Sequence, residues 1–257
     1  PLPIGWVGKM WALQQGLAHM KRQENEAPEY VLLTDADIWH QPGSLRNLVL
    51  ESQNVGLSLN SRMARLRCES RAEHWLVPAF VFFFNMLYPM RQVNSVDRPV
   101  AAAAGGCVLI SLPVLQSLGG FTQLAQKVID DVNLGRLVKG AGGKIRLSLS
   151  RREVISLRRY PSIRSVWNMV SRTAFSQLDY SWTKLTMTIA LMFVMFMVPL
   201  LACAVGLGNI AETVMFARAE KVTLASGVFI LGALTWCVMA VVYAPAICFF
   251  SLRKTRI

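Results

Sequence analysis

The sequence predicts an α/β domain followed by a pair of membrane-spanning helices, on three observations. Short apolar runs alternate with helical patterns over residues 1–150, as expected for layered α/β architecture. Two later runs, TMTIALMFVMFMVPLLACAVGLG and VTLASGVFILGALTWCVMAVVYAPAICFF, carry no charge. Each exceeds the roughly 20 apolar residues that a helix needs to cross a bilayer. Composition agrees: 53% of the 257 residues are hydrophobic and only 16% charged, a balance tilted toward membrane proteins.

Taken in order, residues 8–20 read as a helix, with Trp11, Gln15 and Ala18 at helical spacing. Residues 30–33 read as a strand that ends at two aspartates, Asp35 and Asp37. Residues 42–50, with Pro42 near the start, suit a short helix, and 55–59 the next strand. The run WLVPAFVFFFNMLYP and the following Met90 are apolar on all sides. At 16 residues the segment is too short to span a bilayer, so it is expected at the interface or packed on the spans. A buried strand at 107–110 is entered through Gly105 and Gly106, a helix follows over 128–138, and a strand over 144–149 after the AGG turn.

Residues 162–178 place Ile163, Val166, Trp167, Val170, Ala174 and Leu178 on one apolar stripe, with Arg164, Asn168 and Arg172 largely elsewhere. Such a cationic amphipathic helix lies on a bilayer surface or packs on the α/β domain. The spans are expected at about 186–207 and 222–250. The organisation is therefore a globular domain over 1–160, an interfacial helix over 161–183 and a membrane region over 184–257.

Charge orients the hairpin. From Arg136 to Arg172 there are ten Lys or Arg and one acid, Glu153, and the tail after the second span reads RKTR. The loop between the spans is nearly balanced. The positive-inside tendency puts both ends of the hairpin in the cytoplasm. The net charge of +12 is then accounted for by the membrane surface, and no nucleic-acid motif accompanies it. The five cysteines, Cys68, Cys107, Cys203, Cys237 and Cys248, show no CxxC spacing. Neither a disulfide framework nor a zinc site is indicated.

The segment VLLTDADIWH carries the chemistry. Ligands of open α/β sheets bind at the carboxyl ends of strands, and side chains two apart on extended backbone point the same way. Asp35 and Asp37 could then share one Mg²⁺ or Mn²⁺, a hard cation suited to oxygen ligands and diphosphates. A turn or helix cap would explain Asp37 equally well. A second acidic pair, Asp130 and Asp131, opens the helix expected at 128–138. Asp131 there serves as a helix cap or as a general base for a hydroxyl. Three readings remain at this point: a metal-dependent transferase, a dehalogenase-like phosphatase with Asp35 as nucleophile, and a non-catalytic membrane-anchored binding protein.

The segments GWVGKMWALQQGL, EYVLLTDADI, AAAAGGCVLI and IDDVNLGRLVKGAGGKI, in that order and spacing, resemble family 2 glycosyltransferases of the GT-A fold. The runs PAFVFFFNMLYP and RYPSIRSVWNMVSRTAFSQLDYS look most like the hopene-associated glycosyltransferases of bacterial hopanoid clusters. The resemblance implies a Rossmann-related mixed sheet and transfer of a sugar, UDP-linked by analogy, to a lipid-like acceptor with inversion. It implies Asp35 and Asp37 as the metal and diphosphate motif, with Asp37 the direct ligand, and Asp131 as general base beside Asp130. Lys9 would border the nucleotide site. Gly105 and Gly106 would line the acceptor side, and Arg164 and Trp167 would stand roughly where processive relatives carry QxxRW, although SIRSVW matches that motif poorly. It further implies a bacterial inner-membrane location with the catalytic domain facing the cytoplasm; no protein partner is expected. Because the family begins with a strand–helix–strand nucleotide unit that would precede Pro1, the chain is expected to be a fragment holding part of the donor site.

Overall fold

The computed structural model describes residues 1–23, 28–127, 130–178, 180–216 and 222–251. The chain divides into two compact units, one built on Pro1–Thr173 and the other spanning Ala174–Arg253. The first is mixed α/β, as the sequence predicts.

Its centre is a four-stranded sheet formed by β1 (Tyr30–Thr34), β3 (Leu59–Met63), β4 (Cys107–Ser111) and β5 (Ile145–Leu149), in the order β1-β4-β3-β5. β4 runs antiparallel to both neighbours, while β3 and β5 are parallel. Alternation along β4 sorts the core into two layers. Val108 and Ile110 face a cluster with Met10 and Leu17 of α1 (Gly8–Gln23) and with Leu134 and Val138 of α6 (Asp130–Gly140). Cys107 and Leu109 face Leu48 of α2 (Ser44–Val55) on the other side. A separate two-stranded pair joins β2 (Ile38–His40) to β6 (Val154–Ser156).

Several expectations shift. α2 runs on to Val55, so the strand expected at 55–59 begins only at Leu59. Val55 and Leu57 are the helix end and its exit, and Leu57 N donates back to Ser52 O at 2.8 Å. The start of the helix expected at 128–138 lies outside the described residues, and α6 carries it on to Gly140. β2 and β6, at three residues each, are too short to show an apolar period. Two short helices, α4 (Met90–Val93) and α5 (Leu112–Ser117), escape for the same reason.

The apolar segment after Ser70 is α3 (Arg71–Leu87). Its start is fixed by a capping box: Glu73 N donates to Ser70 Oγ, and Ser70 N donates to the Glu73 carboxylate. Ala72, Val77, Pro78 and Val81 are buried, whereas Trp75, Met86 and Leu87 are exposed. α7 (Ile163–Gln177) carries the chain from one unit into the other. Of its expected stripe, Val166 is buried while Ile163, Trp167 and Val170 stay exposed.

The second unit is a helical hairpin, α8 (Trp182–Phe216) and α9 (Val222–Ser251). Both helices are long and apolar enough to cross a membrane, and only 6% of each apolar window is buried. The core helix of a soluble domain is mostly buried, and these windows are not. The helices meet where side chains vanish. A Cβ on Gly206 would stand 2.8 Å from the backbone N of Phe229, and one on Gly232 2.8 Å from Pro199 O.

Candidate active site

The sheet register assembles the site. Pairing β1 with β4 sets Thr34 opposite Cys107, so Asp35, just past the end of β1, arrives beside Gly105 and Gly106, which lead into β4. Thr34 Oγ1 donates to Gly106 O at 3.0 Å and lies 2.9 Å from His40 Nε2, fastening the two segments. Ser61 of β3 braces the same approach from behind, accepting from Ala104 N at 2.8 Å.

α6 brings the second acidic pair. It packs so closely on the segment before β4 that a Cβ on Gly135 would lie 2.9 Å from the carbonyl carbon of Ala102. Lys139 Nζ, one turn further on, donates to Val93 O at 2.8 Å and Val100 O at 2.7 Å. With the helix held there, Asp131 Oδ2 accepts from Gly105 N and Oδ1 from its own neighbour Val132 N, each at 2.8 Å. Burial, helped by the charge of Asp130, pushes the Asp131 carboxyl up to about 6 despite these two donors. Each oxygen keeps a lone-pair direction for a further proton.

Lys9, in the first turn of α1, ties the acidic groups together. Its Nζ is 2.9 Å from Asp130 Oδ2 and 3.1 Å from Asp35 Oδ1. Burial alone would lower its pKa, but the Asp130 and Asp35 carboxylates more than compensate and raise it. Lys9 is therefore a permanent cation between two carboxylates. Lys9, Asp35, Gly105, Asp130 and Asp131 line one cavity with Leu13, Leu33, Thr34, Val108 and Leu134. Its volume, about 20 Å³, admits a single hydroxyl or water.

The other expected site residues stand apart from this cavity. Residues 35–37 form a turn rather than extended backbone, with Ile38 N donating to Asp35 O at 3.2 Å. The same-side argument for the two aspartates therefore does not apply. Asp35 pairs with Lys9, whereas Asp37 Oδ2 lies 3.8 Å from Arg158 Nη1. Gly106 abuts Ile38 rather than the cavity. Arg164 and Trp167 sit on α7, with Trp167 exposed, and neither lines the cavity. Thr34, His40 and Arg158 were not singled out in the sequence. Arg158 meets Asp37 only because Leu157 N donates to Asp37 O at 2.8 Å, a pairing between distant segments that local pattern does not announce.

Among the described residues no three His, Cys, Asp or Glu groups converge as a ready-made metal cage. Magnesium needs fewer, because one or two carboxylates plus substrate phosphates suffice. Asp37 fits that requirement, since among the described residues its partly exposed carboxylate is engaged only by the long contact to Arg158. Thiol chemistry does not fit: burial pushes Cys68 and Cys107 up to about 11, well above the range of a reactive thiolate.

In comparison with known proteins, a family model described as glycosyl transferase family 21 matches residues 13–253. No curated protein matches the chain.

Proposed function

The chain belongs to glycosyl transferase family 21, and from that premise we propose a membrane-bound enzyme in which Asp131 is the general base for sugar transfer to a lipid-like acceptor. Of the three readings left open by the sequence, family membership favours glycosyl transfer. The observation that carries the residue assignment is the Asp131 carboxylate, raised to about 6 and lining a cavity the size of one hydroxyl. A base with that pKa is ionised at neutral pH yet more basic than an ordinary carboxylate.

In the proposed step Asp131 takes the proton of an acceptor hydroxyl. The freed oxygen attacks the anomeric carbon of a nucleotide-linked sugar, and the bond to the diphosphate breaks with its electron pair. Attack from the face opposite the leaving group inverts the anomeric centre. Gly105 N and Val132 N hold the carboxylate in place, and Lys9 screens Asp131 from Asp130. Asp35 stays paired with Lys9, while Asp37 would hold a Mg²⁺ or Mn²⁺. Bound there, the ion would supply positive charge to the diphosphate.

The finer assignments follow the family 2 resemblance: a UDP-linked donor, a hopanoid-related acceptor and a bacterial inner membrane. The basic flanks of α8 and α9 support a cytoplasmic catalytic unit. The test is a donor screen with the intact membrane protein, scored by sugar incorporated into extractable lipid. Transfer that disappears in Asp131→Asn, with donor binding retained, is the expected result. Near-normal transfer by that variant would overturn the base assignment.

A further inference from the structure

Within Pro1–Thr173 a second cavity, of about 550 Å³, is lined by Arg158, Arg159, Tyr160, Ser165, Asn168, Met169 and Ser171. We propose that it binds the phosphodiester headgroup of an anionic glycerophospholipid, with an acyl chain lying along the exposed Trp167 of α7.

Three independent observations converge on that ligand. The first is uncompensated charge. Arg151, Arg152, Arg159 and Arg164 have no ion-pair partner among the described residues, and Arg158 has only the 3.8 Å contact to Asp37. Of the acids nearby, Glu153 accepts from Asn47 Nδ2 at 2.9 Å, and Glu73 is buried with its carboxylate taken up by backbone amides. An anion from outside the chain is the natural complement of such a cluster.

The second observation is that the wall is built rather than loose. Glu73 is 1% exposed, and its carboxylate accepts from Tyr160 N at 2.6 Å, Ser70 N at 2.8 Å and Glu69 N at 2.9 Å. Burial would raise its pKa, but these donors outweigh burial and hold it below the usual range, so it stays an anion that fixes Tyr160. Ser70 Oγ closes the lock by donating to Tyr160 O at 3.0 Å. The arginines just before Tyr160 are thus presented from an anchored point, and Arg158 also lies 6.0 Å above the Tyr160 ring. The Asn168 amide adds a neutral donor suited to phosphate oxygens, whereas the Ser165 and Ser171 hydroxyls donate to Ser162 O at 2.6 Å and Asn168 O at 3.5 Å within the helix.

The third observation separates a lipid from a free phosphate. The helix that lines the cavity also exposes Trp167, which stands four residues before the lining residue Ser171 and so on the adjoining edge of the helix, an apolar surface that costs free energy in water and gains it against acyl chains. A soluble anion has no use for it. The same helix leads by only four intervening residues into the apolar span α8, so the bilayer is the lipid source at hand.

The test is native mass spectrometry of the detergent-solubilised intact chain titrated with phosphatidylglycerol or phosphatidylcholine. The expected result is at least tenfold tighter retention of phosphatidylglycerol. Arg159→Gln should weaken it about fivefold, as expected for one basic side chain near an anionic headgroup. Asn168→Ala tests the cavity without changing charge and should also weaken retention. The Arg151→Gln/Arg152→Gln double variant loses more charge but lies outside the cavity, and should retain phosphatidylglycerol better than Arg159→Gln does. Equal retention of the two lipids would overturn the proposal. So would a larger loss in the Arg151/Arg152 variant, which would mean charge attraction without a site. Displacement of phosphatidylglycerol by millimolar inorganic phosphate would overturn the lipid reading in favour of a free-anion site. None of these readouts depends on glycosyl transfer.

Discussion

The two charged regions of the α/β unit are opposites. Around Lys9 the charges are engaged by partners within the unit: one ammonium joins Asp35 and Asp130, and backbone amides hold Asp131. Around Arg159 they are left open, with guanidinium groups collected beside an anchored tyrosine and, among the described residues, only the 3.8 Å contact of Arg158 to Asp37 to meet them. Charge held by internal partners fixes geometry and tunes one group at the expense of its neighbours, which suits chemistry. Unbalanced charge keeps its interaction energy for whatever binds. Polarity alone does not distinguish the two regions, but the fate of each charge does.

The most severe way to break this contrast is Asp131→Asn, which keeps the amide contacts and removes the base. Turnover should fall roughly 10²–10⁴-fold, measured as initial transfer rate, while donor binding stays close to wild type. Next is pH. The folded state holds the Asp131 proton up to about 6, above an unfolded carboxyl, so this group adds stability that is full below about pH 4 and lost as pH rises through about 6. The shift corresponds to roughly 3 kcal/mol. Thermal unfolding across pH 4–7 should show the loss in wild type and not in Asp131→Asn. Transfer rate should move the other way, falling about tenfold per pH unit below the same midpoint.

A smaller effect is expected from Gly135→Ala. The new methyl would press on the Ala102 backbone at 2.9 Å and drive α6 from the sheet, costing about 1–3 kcal/mol by thermal unfolding. An unchanged midpoint would show that α6 can shift freely. The mildest is Lys9→Met. Lys9 is 46% exposed on its side chain, so losing its pairs should cost only about 1 kcal/mol. Its sharper signature is directional: Lys9 lowers the Asp131 pKa, so the acid limb of the rate profile should move to higher pH.

What the sequence discloses and what it withholds follow the range of the interactions. β1, β4, α6 and the two spans are legible because their apolar spacing is local, and Asp35, Asp130 and Asp131 are legible because they sit at the ends of those elements. Lys9 shows as a residue near the site, but not as the cation between Asp35 and Asp130, since that role needs α1 folded over the sheet. Asp37 is legible as a carboxylate past the strand end, but its divergence from Asp35 is not, because the same-side rule requires an extended chain and here the backbone turns. Arg158 is invisible because it reaches Asp37 through β2 and β6, strands too short to leave a period.

The glycine contacts of the α8–α9 hairpin bear on which sequences the hairpin tolerates. Almost every outward position on these helices is an interchangeable oily residue, so Leu, Met, Val and Phe can drift there at little consequence. Gly206 and Gly232 cannot, because backbone meets backbone at those two points. The specificity of a hairpin built from more than sixty helical residues is thus written largely in two that have no side chain.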